Sequence, residues 1–206
     1  SELLDLASPD NDYRKRSIKN MQRVIDLTLK LKKHFPSTKT PMIVTNIGGF
    51  SMDKNFTNAE VKSGYKIFCQ SLDELNTDGV ELIPQTMAPY PWHFGGQRFQ
   101  NLFVHPDEII HWCKQLNLRM CFDISHSMLT SNNFGYCFYD FCEQIAPHTA
   151  VSGLAPKNDR PQLCARKNLL TFVRSPGLSS RLQSYYRLFE RYKVKNVAQV
   201  NIIKTK

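Results

Sequence analysis

The chain has 206 residues, 41% of them hydrophobic and 11% aromatic, enough for one large folded domain or two small ones. Its formal net charge of +9 is unevenly spread: residues 1–150 carry 15 Lys and Arg against 16 Asp and Glu, and residues 151–206 carry 12 against 2. The pI near 9.3 is therefore a property of the last quarter, and it gives no ground for a nucleic-acid partner of the whole molecule.

No apolar run approaches the roughly 20 residues that cross a bilayer, so no membrane partner is expected. The N-terminus lacks the basic flank and apolar centre of a signal peptide. It also lacks an initiator methionine, which suggests a start inside a longer chain. The six cysteines form no C-x-x-C pair, and their setting in apolar patterns reads as free thiols of a reduced, cytoplasmic protein.

In chain order, Ser8 as N-cap and Pro9 at the first helical position predict a helix with Ile18, Met21, Ile25 and Leu29 at helical spacing, ending near Phe35 before Pro36. The apolar run 42–47, closed by Gly48 and Gly49, reads as a strand buried on both faces. Thr57 and Glu60 make a capping box for a helix that buries Val61, Tyr65, Phe68, Leu72 and Leu75. A second strand is expected at 80–85, a helix opening at Pro106, a third strand at 118–123, and a helix over Phe138, Phe141, Cys142 and Ile145 that stops at Pro147. A fourth strand is due near 149–154. Beyond it the pattern fades, leaving loosely helical spacing and a strand candidate in 194–203.

Strands about 38 residues apart, each followed by a helix, imply a parallel sheet with helices outside. No G-x-G-x-x-G turn follows any strand, which weighs against a nucleotide-binding open sheet. In parallel α/β folds the chemistry sits at the strand C-termini. Here those ends are Asn46, Gln85 and Asp123, polar groups that burial without partners would penalise. Each could equally cap a helix or fix a loop.

Asp123 and His126 form a D-x-x-H at the tip of the third strand. A carboxylate and an imidazole suit zinc, manganese or another first-row divalent ion. The alternative is an N-cap Asp bonded to a neighbouring His. The segment 89–103 is too long and aromatic for an ordinary βα loop. Within it Trp92 and Phe94 could stack on a sugar, His93 could move a proton, and Arg98 could pair with phosphate or carboxylate. Its glycine pair, Gly95 and Gly96, would let backbone approach a ligand. A lid that only plugs the barrel mouth is the competing reading.

These features resemble the xylose-isomerase-like TIM-barrel superfamily of sugar isomerases and epimerases and type-2 apurinic endonucleases. The likeness rests on Leu6 to Asp10 leading into Arg16 to Ile18, on Ile43 to Gly49, and on Phe122 to Ser127 with its D-x-x-H. The stretch 84–98 is similar to barrels fused to, or encoded beside, sialic-acid-type (nonulosonate) synthases. The resemblance implies a partial (β/α)8 barrel over residues 1–150, with parallel strands near 42–47, 80–85 and 118–123. It implies Asp123 and His126 as metal ligands assisted by Gln85, and His93 and Arg98 handling a sugar or sugar-phosphate substrate. The implied activity is a metal-dependent isomerase or epimerase, with zinc or manganese as the ion and a fused or adjacent synthase as a partner.

The departures are specific. Gln85 stands where relatives usually place a metal-binding Glu, and Asn46 where some carry His. After Thr149 the His- and Asp-rich strand and last ligand Glu of relatives are replaced by Val151, Ser152 and Gly153, and only Asp159 and Glu190 are acidic beyond them. Residues 151–206 therefore read as a basic, divergent or frame-shifted tail, and the chain alone as an inactive fragment. Two other readings are a non-catalytic sugar-binding or scaffold barrel of a fused synthase, and an apurinic-endonuclease-like nuclease.

Overall fold

A computed structural model describes residues 3–93, 96–153 and 195–196, with the side chains of 92–93 and 195–196 outside the description. The strands are β1 (Met42–Thr45), β2 (Phe50–Ser51), β3 (Glu81–Pro84), β4 (Trp92–His93), β5 (Gly96–Gln97), β6 (Phe99–Gln100), β7 (Met120–Asp123), β8 (Thr149–Gly153) and β9 (Lys195–Asn196). The helices are α1 (Asn11–Lys32), α2 (Asn58–Asp73), α3 (Pro106–Gln115), α4 (Ile124–Phe134) and α5 (Phe138–Ile145), the last followed by a 3-10 turn, Ala146–His148.

The long strands run parallel in chain order. β1 pairs with β3, a bridge between Gln85 and Cys121 joins β3 to β7, and β7 pairs with β8 and β8 with β9. This is the parallel, partial barrel expected from the alternating pattern. β8 occupies the place of the fourth strand, and β9 falls within the strand candidate 194–203. The rest of the basic segment lies outside the described residues. No described helix is long and apolar enough to cross a membrane.

Side chains alternate across each strand. Ile43, Leu82, Met120 and Phe122 join the core beneath the helices, where Tyr65, Phe68, Ile109 and Phe141 are almost wholly buried. Ile83, Cys121 and Val151, with Met42 and Val44 beside them, pack as a separate inner cluster. The two clusters are the outer and inner faces of a barrel wall.

The capping box of α2 forms as its sequence requires, Thr57 Oγ1 accepting from Glu60 N and Glu60 returning to Thr57 N. α1 departs from expectation at both ends. Asp10 caps it, its Oδ1 accepting from Asp12 N at 2.9 Å and Tyr13 N at 3.0 Å, and Ser8 Oγ takes the Asp10 N–H. A carboxylate serves two amides at once and answers the helix dipole, which a hydroxyl does not. The helix stops at Lys32, because His34 and Phe35 N–H groups return to the Leu31 and Lys32 carbonyls in a tight turn.

α4 was not legible as a helix. Its sequence is rich in Ser, Thr and Asn, residues that compete for backbone hydrogen bonds. It forms because Asp123 caps it directly off the strand and Gly135, at φ +71°, closes it.

Candidate active site at the strand tips

Asn46, Gln85 and Asp123 each lie two residues beyond an inner-face side chain, Val44, Ile83 and Cys121. The pleat therefore aims all three toward the interior of the barrel mouth. The register sets Gln85 level with Cys121, with Asp123 one inward position higher.

Asp123 spends one oxygen on the start of α4. Oδ1 accepts from Ser125 N at 2.9 Å, from His126 N at 3.0 Å and from the Ser125 hydroxyl. Among the described residues Oδ2 makes no hydrogen bond, and it lies 3.8 Å from His126 Nδ1. His126 Nδ1 is 2.8 Å from the Thr86 carbonyl. A carbonyl only accepts, so Nδ1 carries the hydrogen, and in the neutral ring Nε2 holds the free lone pair.

Thr86 organises this corner from a position of 0% exposure. Its N–H goes to Cys121 O, its Oγ1 accepts from Asp123 N at 2.9 Å and from Ser127 Oγ at 3.0 Å, and its carbonyl holds His126. Sequence reasoning stopped at Gln85 and missed it. A lone Thr in an apolar stretch gives little signal.

Asn46 turns back on the chain, its Oδ1 accepting from Gly48 N at 2.9 Å. Beneath the same turn lies Asp5, also missed, 5% exposed, with Oδ1 accepting from Ala7 N and Gly49 N, each at 3.0 Å. Burial raises its pKa to about 6 against the lowering effect of those amides.

The long segment after β3 folds as a hairpin. Trp92 pairs with Gln97 and His93 with Gly96, and the ladder continues through Arg98 N to Pro91 O and Gln100 N to Pro89 O. β6 pairs on its other edge with β2. The neck closes where Met87 N donates to Phe103 O at 2.9 Å. Phe103, at φ +60°, is held from behind by Tyr65 and Glu108: its N–H reaches Tyr65 Oη at 2.9 Å, and Tyr65 donates to Glu108. Burial pushes Glu108 up to about 7. Gly96 stands at φ +120°, with nothing within 4 Å of where a Cβ would stand. Phe94, Gly95 and the His93 side chain lie outside the described residues. Arg98 is described. Its Nε is buried without a hydrogen bond.

For a divalent ion the described donors are Asp123 Oδ2, His126 Nε2 and the Gln85 amide. The Nδ1 bond to Thr86 fits a metal-binding histidine, whose other ring nitrogen is usually held by such a partner. Among the described residues no three His, Cys, Asp or Glu side chains group to hold an ion. The Gln85 amide Nε2 lies 3.8 Å from Met87 Sδ.

Fold and site together define an α/β barrel with its polar residues gathered at the strand tips. Residues 1–158 match the family model of the xylose isomerase-like TIM barrel, and the chain belongs to that family. Among solved structures it is similar to an L-ribulose 3-epimerase, with a TM-score of 0.53 at 13% identity over 82% of this chain and 54% of that one. It is also similar to a D-tagatose 3-epimerase-like protein, with a TM-score of 0.52 at 15% identity over 94% of this chain and 77% of that one. The chain thus spans about half the length of the L-ribulose 3-epimerase. No curated protein sequence matches it.

Proposed function

We propose that this chain is the site-bearing part of a metal-dependent sugar isomerase or epimerase, acting on a sugar or sugar phosphate. The observation that carries the reading is the His126 ring, whose Nδ1 is held by the Thr86 carbonyl and lies 3.8 Å from Asp123 Oδ2 at the strand tips, so that Nε2 is the ring nitrogen left for an ion. Asp123, His126 and Gln85 would hold zinc or manganese. A bound ion would supply polarisation of the substrate carbonyl and its neighbouring hydroxyl.

The chain's own residues have two tasks in such a reaction. A proton beside the carbonyl must be removed and returned, which needs a base within hydrogen-bond reach, and His93 is the candidate for that role. Water must be kept from the intermediate, and the hairpin 89–100, pinned at its neck, is a cover suited to this. Arg98 would orient the substrate from that hairpin. The finer assignment, to nonulosonate sugar metabolism with a fused or adjacent synthase as partner, rests on the likeness of 84–98 alone.

A non-catalytic sugar-binding barrel is the second reading, favoured by the lack of three ionisable donors in one group among the described residues. Calorimetric titration with manganese, zinc and a ketose separates the two. The enzyme reading expects ion binding that Asp123→Asn or His126→Gln weakens about 10- to 100-fold, and ketose binding that needs the ion. Ketose binding indifferent to both ion and variants would support the non-catalytic barrel.

A further inference from the structure

We infer that the hairpin of this barrel reads an anionic group on the substrate through Arg98, so that the natural ligand is an acidic or phosphorylated sugar rather than a neutral one. The inference rests on the sugar-binding reading above and narrows its substrate class.

The charge of the segment comes first. From Pro84 to His105, Arg98 is the sole permanently charged residue, with no Asp, Glu or Lys in the stretch. Described ion pairs of arginine and lysine include Arg14 with Glu74, Lys54 with Glu60 and Arg119 with Glu81. Arg98 has no acidic partner among the described residues.

Its position comes second. Opposed residues of an antiparallel hairpin share a face, and alternate residues along a strand share it too. Tyr90 and Phe99, opposed in the ladder, meet edge to face at 5.6 Å on one side. Arg98 and Gln100 therefore occupy the other side. Gln100 is 3% exposed, and its Nε2 donates to Gly48 O at 2.7 Å and Leu102 O at 3.0 Å. The face that carries Arg98 is thus turned down onto the Gly48 turn after β1, toward the strand tips.

Its hydrogen bonding comes third. Among the described residues Arg98 Nε is covered and unpaired, and Gln100 Oε1 on the same face is likewise buried and unpaired. A guanidinium Nε–H withdrawn from water with no acceptor is costly, and a carboxylate or phosphate is the group that answers such a donor. A buried donor and a buried acceptor on one face of the hairpin suit a ligand that is both anionic and hydroxylated. Pairing of Arg98 with Gln100 themselves is the structural alternative, and the two make opposite predictions for stability.

The test compares binding of D-ribulose, D-ribulose 5-phosphate and D-gluconate to the full chain by calorimetry with manganese present throughout, and with inorganic phosphate as an anion-only control. One of the two charged sugars is expected to bind at least about tenfold more tightly than ribulose, and which one does so separates phosphate from carboxylate. Arg98→Gln should erase that preference and leave the thermal midpoint equal or higher, because an unpaired buried donor is removed. Arg98→Lys should keep part of the preference. Equal binding of neutral and charged sugars, or a preference that survives Arg98→Gln, would overturn the inference and leave the sugar reading standing. A lower midpoint for Arg98→Gln would show the guanidinium engaged within the protein and also overturn it. Failure of every sugar to bind would overturn this inference and the sugar reading together.

Discussion

The Nδ1 of His126 donates to the main-chain carbonyl of Thr86 at 2.8 Å, across the gap between β3 and α4. One buried threonine thereby sets the ring of a candidate ligand while its hydroxyl ties down the start of the helix that carries it. Thr86→Val keeps the shape and removes Oγ1, leaving Asp123 N–H and the Ser127 hydroxyl without their acceptor. A loss of about 1 to 3 kcal/mol in urea unfolding is expected, with Thr86→Ser close to wild type. Equal stability of the two variants would show that the hydroxyl does not hold this corner.

Gly48 is expected to tolerate no side chain. Its φ is +96°, and a Cβ there would stand 1.9 Å from Asp5 Oδ1. Gly48→Ala should cost about 3 kcal/mol or more, since backbone strain and a clash with a buried carboxylate coincide. Gly135→Ala, at φ +71° with open space around it, should cost only about 1 kcal/mol. Denaturant midpoints of the two variants measure the difference.

Glu108 gives the protein a pH dependence of definite sign. Its pKa rises on folding from 4.5 to about 7, chiefly through burial. The folded state therefore holds the proton more tightly, and the stability this contributes is complete below pH 4.5 and is lost as pH rises through about 7. Asp5, raised from 3.8 to about 6, acts in the same direction at lower pH. Glu108→Gln should flatten the upper part of this slope, by up to roughly 3 kcal/mol, in unfolding measured from pH 4 to pH 8. An unchanged slope would mean that the Tyr65–Glu108 pair is solvated in the folded protein.

The parallel βα order was legible because each strand is a short apolar run with Gly or a polar residue at its tip and an amphipathic helix after it. The strand tips Asn46, Gln85 and Asp123 were legible for the same reason, since period-two alternation decides which way they face. α4 was not, because its stability comes from the Asp123 cap and from burial of Ile124, Ser127, Thr130 and Ser131 rather than from an apolar stripe. Thr86, Asp5 and Gln100 were missed because their roles are long-range hydrogen bonds. Gln100 reaches back 52 residues to Gly48, and no local pattern announces such a bond.

The state of the His126 ring decides whether the strand tips can take an ion. Long-range proton–nitrogen NMR of the labelled chain resolves ring nitrogens, and six histidines make the spectrum tractable. In the neutral ring His126 is expected to carry its hydrogen on Nδ1 and to present a bare Nε2. One equivalent of zinc should move the Nε2 resonance of His126, and Asp123→Asn should weaken that response. A hydrogen on Nε2, or zinc that shifts other histidines and leaves His126 untouched, would contradict the placement of the site at Asp123 and His126.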